Sequence, residues 1–189
     1  MTQPVPPLPS TPRLLLRRLQ PDDGAALCAY RSLPEVARYQ GWESFGPEDA
    51  ARLIESQRYA EPGVPGTWFQ LAFIEKASGQ LIGDCGLHCW QNDSRQMELG
   101  VTLAPSHQGL GYATEALGGV LGFVFGTLDM HRVSAVTAAE NHAAASLFLR
   151  LGFRQEAHFI EHRWYKGNWD SEFVFGLLKR EWDAIRGQA

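Results

Sequence analysis

Residues 105–113 read PSHQGLGYA and lie between a predicted strand and a predicted helix. Gly109, Gly111 and the small Ala113 leave the backbone N–H groups of this loop accessible. The first turn of a helix adds N–H groups without intrahelical partners and a partial positive charge. This combination predicts a cradle for a pyrophosphate group. A tight turn before a helix is the alternative interpretation of the same residues.

The sequence around this loop does not fit two other phosphate-binding motifs. It lacks the Gly-Lys-Ser/Thr that ends a P-loop. It also lacks the glycine set in a first strand–helix unit that a Rossmann fold uses. The loop taken alone therefore leaves the kind of ligand open.

A second segment decides between these interpretations. Asn141 begins a predicted helix, and Gly152 ends it eleven residues later, directly before Phe153. A loop R/Q-x-x-G-x-G/A followed by a helix N-(x)10-G-F resembles the GNAT superfamily of acyl-CoA N-acetyltransferases. The matching residues are Gln108, Gly111, Ala113, Asn141, Gly152 and Phe153.

The resemblance covers residues 11–182 and is strongest to the ribosomal-protein-alanine acetyltransferases, a Rim-type branch of that superfamily. The segments similar to this branch are TPRL at 11–14, LR at 16–17, Tyr39, GW at 41–42, ELG at 98–100, GYATEA at 111–116 and WD at 169–170. Their combination in this order is more specific than any one of them.

The resemblance implies a mixed α/β, α+β-like GNAT fold, in which helices flank a central, mostly antiparallel sheet with a V-shaped splay between two parallel strands. Apolar periodicity, caps and turn residues predict the order β-α-α-β-β-β-α-β-α-β-β. The predicted strands are 13–19, 68–75, 80–90, 97–103, 131–138, 153–165 and 169–178, and the predicted helices are 21–33, 47–61, 111–128 and 141–152. We expect a flexible, proline-rich tail over residues 1–10 and a single domain over 11–189.

The resemblance also implies acetyl-CoA as the acyl donor. Its pantetheine arm is expected between strands 97–103 and 131–138, as in strand addition at an exposed edge. A backbone N–H near Leu103 is a candidate oxyanion donor to the thioester carbonyl. The residues implied in donor binding are Val101, Leu103, Gln108, Gly109, Leu110, Gly111, Tyr112, Ala113, Thr114, Asn141 and Phe148.

Two residues are predicted to be catalytic. Glu98 is the candidate base that takes a proton from the amine through a water molecule. A structural ion pair with Arg95 or Arg132 is the alternative. Asn141 is implied to hydrogen-bond the pantetheine arm or a water on the substrate side. Plain capping of the following helix is its alternative role.

The sequence departs from the GNAT pattern at the groups that protonate the departing thiolate. Phe148 stands where many relatives have a tyrosine, and Ala144 where others have a serine. Ser146 is expected to point elsewhere, because it follows Ala144 by about 200° around the helix. The thiolate is therefore expected to leave unassisted, or to take its proton from water or another side chain.

Tyr39, Trp42 and His88, together with Trp90, are predicted to line the acceptor pocket, with packing at its rim as the alternative. Three residues near the last hairpin are also within reach of it, namely His162, Trp164 and Tyr165. The expected acceptor is a primary amine. A protein N-terminal amine is favoured by the branch resemblance, and a polyamine, an amino acid or an antibiotic is the alternative. An acyl-CoA-binding protein with little turnover, or a structural domain, remains open.

The composition is that of an ordinary globular protein. The 189 residues are 44% hydrophobic and carry a net charge of -4, which argues against nucleic acid as the partner. Three cysteines, no apolar signal segment and no long apolar run predict a cytoplasmic protein outside the membrane. Cys85 and Cys89 lie about 13 Å apart on one strand face, and His88 lies on the other, so no metal site is expected. Relatives suggest a homodimer.

Overall fold

The computed structural model of the protein describes residues 7–187. Its strands are β1 Leu14–Arg18, β2 Trp68–Glu75, β3 Leu81–Cys89, β4 Gln96–Leu103, β5 Arg132–Ala138, β6 Arg154–Tyr165 and β7 Asn168–Leu178. Its α-helices are α1 Gly24–Arg31, α2 Pro34–Ala37, α3 Pro47–Ser56, α4 Tyr112–Gly122, α5 His142–Arg150 and α6 Lys179–Arg186.

The seven strands form one sheet in the order β1-β2-β3-β4-β5-β7-β6. Neighbouring strands are antiparallel except β4 and β5, which are parallel. That parallel pair is joined only where Gln96–Glu98 meets Arg132–Ser134. Beyond Glu98 the two strands diverge and leave a V-shaped gap. The predicted mixed, mostly antiparallel GNAT sheet is thus confirmed.

The sheet separates two cores because successive side chains of a strand point to opposite faces. The larger core buries Met97 and Leu99 of β4 against helices α4 and α5. The smaller core lies on the opposite face and contains Leu27, Tyr30 and Phe45. Glu98 belongs to the strand residues that face the side of the smaller core.

Several element boundaries differ from those predicted. Residues 21–33 form a 3-10 turn followed by α1, and Pro34 begins the separate helix α2. Residues 111–128 form α4 followed by a π-helical turn. The helix α6 was not predicted. It begins where the Glu181 carboxylate accepts a hydrogen bond from the Leu178 N–H at 2.8 Å.

The N-terminal segment packs onto the domain earlier than predicted. Leu8 contacts the larger core, and the Pro9 carbonyl accepts a hydrogen bond from the Leu16 N–H at 3.2 Å. Leu8 and Pro9 of the predicted tail therefore contact the domain. Residues 1–6 of that predicted tail lie outside the described residues. Over residues 7–187, no helix is long and apolar enough to cross a membrane.

Candidate active site

The loop before α4 has the backbone that an anion cradle requires. Gly109 and Gly111 adopt φ values of 74° and 82°, in the left-handed region that favours glycine. Gly111 is also the residue that precedes the first turn of α4. The N–H groups of that turn have no intrahelical partner, so they are available to an anion.

The chain leading into β1 holds this loop in place. The Glu115 carboxylate accepts hydrogen bonds from the Thr11 hydroxyl at 2.6 Å and from the Arg13 N–H at 2.7 Å. The Arg13 guanidinium donates to the Leu110 carbonyl at 3.0 Å and lies 4.2 Å from the centre of the Tyr112 ring. A helix, a strand end and the loop are thereby fixed to one another before any ligand binds.

A cleft of about 660 Å³ lies between the end of β4, the loop before α4 and the start of α5, and we refer to it as the donor cleft. The predicted donor-binding residues that line it are Val101, Leu103, Gln108, Gly109, Gly111, Tyr112, Ala113, Thr114 and Asn141. Leu110 does not line it, because its side chain is exposed and its carbonyl turns to Arg13.

The edge of β4 that faces the donor cleft offers backbone groups for strand addition. The Ser134 hydroxyl of β5 donates to the Met97 carbonyl at 3.3 Å. The backbone N–H and C=O groups of every second residue after Met97 therefore point toward the gap. The Val101 carbonyl accepts from the Gln40 side chain at 3.3 Å, and the Leu103 carbonyl accepts from the Gln108 side chain at 3.0 Å. Two glutamine side chains thus occupy positions that a neighbouring strand takes in an ordinary sheet.

Asn141 has the capping role considered for it, and its position leaves the predicted contact with the pantetheine arm open. Its Oδ1 atom accepts a hydrogen bond from the Ala144 N–H at 3.1 Å, which caps α5, and the residue lines the donor cleft.

Two expectations about α5 need correction. Phe148 is only 2% exposed and packs against Phe153 and Phe175 in the larger core, so it is not part of the cleft lining. Ser146, expected to point elsewhere, does line the donor cleft. The α5 residues that line the cleft are 143, 144, 146, 147 and 150, which form one face of the helix.

Glu98 stands at the vertex of the splay, as the last β4 residue paired with β5. The ion pair considered for it does not form, because Arg95 pairs with Asp93 and Arg132 with Glu156. Within the described chain, its half-buried carboxylate has no ion pair or hydrogen bond. Burial raises the pKa of Glu98, and His88 opposes this shift while Glu172 reinforces it.

A second cavity, of about 760 Å³, lies between the start of α5 and the β6–β7 hairpin, and we refer to it as the hairpin cavity. Its carboxylates are Glu140, Glu161 and Asp170. Tyr39 lines both this cavity and the donor cleft, and no other residue between 7 and 187 does. Of the hairpin residues predicted to reach the acceptor, Tyr165 lines the hairpin cavity.

Trp42 and His88 do not line either space, in contrast to the prediction for the acceptor pocket. The Trp42 Nε1 atom donates to the Arg31 carbonyl at 3.0 Å, and its ring packs on the Arg31 guanidinium at 4.5 Å, so it serves the smaller core. His88 stacks on Trp68 at 4.9 Å and pairs across the strands with Glu98.

Residues 7–187 contain no group of three or more histidine, cysteine or acidic side chains placed to hold a metal ion. Cys85 and Cys89 are buried free thiols, and burial raises the pKa of both.

The family follows from comparison with known proteins. Residues 13–154 match the family model described as the acetyltransferase (GNAT) domain. The chain belongs to the GNAT acetyltransferases.

Three similar proteins support this membership or the fold. The uncharacterized N-acetyltransferase p20 of Bacillus licheniformis is 30% identical, over 91% of this chain and 96% of the relative. A GNAT-family acetyltransferase from Bacillus anthracis superimposes with a TM-score of 0.82 at 24% identity, covering 92% of this chain and 99% of that one. The spermidine N-acetyltransferase of Vibrio cholerae, solved with CoA and spermine, gives a TM-score of 0.76 at 22% identity, covering 90% and 98%.

As a GNAT acetyltransferase, the protein uses acetyl-CoA and transfers the acetyl group to an amine.

Sequence reasoning missed several groups that line the donor cleft, among them Gln40, Ser146 and Arg150. The spacing of the α5 residues contained a signal for Ser146 and Arg150. Gln40 had none, because it reaches the cleft from a loop far away in sequence.

Proposed function

We propose that this GNAT enzyme acetylates a primary amine that enters through the hairpin cavity, with Glu98 as the group that receives the amine proton. The observation that carries the proposal is the state of Glu98. It is a half-buried carboxylate without an ion pair in the described chain, at the vertex of the gap that receives the thioester. A base must be free to accept a proton, and this one is.

The reaction needs few groups. The amine nitrogen attacks the thioester carbonyl, and a backbone N–H on the cleft edge of β4 stabilises the oxygen on which charge develops. The nitrogen loses its proton to Glu98, and the carbon–sulfur bond then breaks with its electron pair going to sulfur. Glu98 does not line either cavity directly, so a water molecule relays the proton.

The acceptor is most simply a protein N-terminal amine. The sequence similarity to ribosomal-protein-alanine acetyltransferases favours it, and such an amine has a pKa of only about 7.7–8.0, which asks little of the base. A volume of about 760 Å³ accommodates the first residues of a peptide.

A small polyamine is the second candidate acceptor. Glu140 pairs with Arg38, but Glu161 and Asp170 of the hairpin cavity suit a positively charged substrate. The likeness to a spermidine N-acetyltransferase solved with spermine favours the same class.

The donor site is tested by thermal unfolding of the full chain with acetyl-CoA, CoA or ATP. A ligand present at 100 times its dissociation constant adds about 2.7 kcal/mol of stability. We expect a clear rise in Tm with acetyl-CoA and CoA and none with ATP. An unchanged Tm with saturating acetyl-CoA refutes the proposal.

The acceptor is tested by thiol release from acetyl-CoA. The panel contains peptides beginning with alanine or serine, their N-acetylated forms as controls, and spermidine. Release with free peptides but not with the blocked forms identifies an N-terminal acetyltransferase, whereas release with spermidine alone identifies a polyamine enzyme. Binding of CoA without release for any amine identifies an acyl-CoA-binding protein instead.

A further inference from the structure

The usual proton donors to the departing thiolate are absent from this chain. Phe148 has no hydroxyl and is buried in the larger core, and Ala144 has none either. The cleft must then obtain the proton elsewhere, or release a bare thiolate.

Tyr39 holds the one position from which a side chain reaches both substrates. It lines the donor cleft and the hairpin cavity, and among residues 7–187 it alone does so. The thioester must lie where the two spaces meet, because the amine and the acetyl group react there. The Tyr39 side chain therefore lies at the border where the proposed function places the thioester.

The backbone that carries Tyr39 is fastened from the opposite side of the hairpin cavity. The Lys166 Nζ atom donates to the carbonyls of Ala37 and Trp42, each at 2.6 Å, and to that of Gln40 at 3.3 Å. The Tyr165 hydroxyl donates to the same Gln40 carbonyl. These bonds to three carbonyls hold the backbone on both sides of Tyr39, which a positioned proton donor requires.

The Tyr39 hydroxyl is also available. Its ring is half-buried, with the Arg38 guanidinium 5.1 Å from the ring centre, and the described chain provides no hydrogen-bond partner for the hydroxyl. Tyr112, the other phenol in the donor cleft, already donates to Glu75. Ser146 is a rival hydroxyl, but it lines the donor cleft alone.

We propose that Tyr39 is the catalytic acid that protonates the CoA thiolate as it leaves. This assignment rests on the proposed acetyltransferase function. As the carbon–sulfur bond breaks, its electron pair goes to sulfur, the phenolic proton passes to that sulfur, and the phenolate recovers a proton from solvent.

The test compares Tyr39→Phe with Ser146→Ala and with Tyr59→Phe, whose tyrosine is 82% exposed and outside both cavities. We expect Tyr39→Phe to lower kcat about ten- to a hundredfold, with unchanged Tm, unchanged CoA affinity and unchanged KM for acetyl-CoA. The Tyr59→Phe control should retain wild-type kcat, and Ser146→Ala should lose less of it than Tyr39→Phe does.

Three results overturn the assignment: wild-type kcat in Tyr39→Phe, a rise in KM without loss of kcat, or a loss of kcat in Ser146→Ala instead. These outcomes leave the acetyltransferase function standing, because the wild type still releases thiol. If the wild type binds CoA but releases no thiol with any amine, the proposed function fails and the assignment of Tyr39 fails with it.

Discussion

Asp84 on β3 and Glu98 on β4 are carboxylates on the same face of the sheet, in neighbouring strands, yet their surroundings are opposite. Asp84 is 1% exposed and accepts hydrogen bonds from Tyr30, Arg31 and Gln70. Glu98 is half-buried, and residues 7–187 supply it with no hydrogen bond and no counter-ion.

The difference separates a structural carboxylate from one available for chemistry. Both carboxylate oxygens of Asp84 accept hydrogen bonds, so Asp84 joins α1 and β2 to β3 and cannot take up a substrate proton. Glu98 is left desolvated near Glu172, which raises its pKa. A carboxylate in that state has gained proton affinity at some cost in stability, which is typical of functional sites.

The largest effect on stability is expected from removing the charge of Asp84. Asp84→Asn leaves the buried Arg31 guanidinium without its counter-ion, which should lower the free energy of unfolding by about 3–5 kcal/mol. Denaturant unfolding measures this loss. Acetyl transfer per folded molecule should stay close to that of the wild type, and a specific loss of catalysis without a loss of stability would reverse the roles of the two carboxylates.

The matching change at the available carboxylate is Glu98→Gln. It should lower kcat/KM for the amine about a hundredfold at neutral pH, because it removes a proton acceptor while keeping shape. Steady-state thiol release measures this effect. Denaturant unfolding should show no loss of stability, and a variant that unfolds as readily as Asp84→Asn argues for a structural Glu98.

Two glycines give a second comparison, between a position in the loop before α4 that requires glycine and a position in α4 that does not. Gly111 has a positive φ, and an added Cβ would lie 3.4 Å from the Arg13 guanidinium, whereas Gly118 in α4 has no atom within 4 Å of such a Cβ. Gly111→Ala should cost about 1–2 kcal/mol and weaken acetyl-CoA binding about tenfold. Gly118→Ala should bind normally and gain up to about 1 kcal/mol. Titration calorimetry measures the affinity for acetyl-CoA, and denaturant unfolding measures the stability of each variant. Equal affinities of the two variants would show that Gly111 does not contact the phosphates.

The smallest expected effect concerns an available cation. Arg150 lines the donor cleft and pairs with no carboxylate within residues 7–187, in contrast to the engaged Arg31. Arg150→Ala should raise KM for acetyl-CoA about three- to fivefold, more at low salt, because the donor carries phosphates. Arg180→Ala on α6 is the matched control. An unchanged KM at low salt would place the phosphates away from Arg150.

How far the sequence predicts this molecule depends on the range of the interactions involved. The glycine loop before α4 and the capped start of α5 are local patterns, and both have the predicted backbone structure. The position of the Trp42 side chain and that of Tyr39 between two cavities could not be predicted. Both depend on contacts with segments distant in sequence, such as the one that contains Lys166. The absence of an ion pair at Glu98 could not be predicted from neighbouring residues either. In the folded chain Arg95 pairs with Asp93 and Arg132 with Glu156.

The most direct test of the central claim is the pH dependence of kcat/KM, expressed per unprotonated amine, for the wild type and Glu98→Gln. Glu98 acts only when ionised, and its pKa is raised, so the wild-type rate should fall as the pH drops through that raised value. The Gln variant should be slower and flat over the same range. If both proteins give profiles of the same shape and height, Glu98 is not the base.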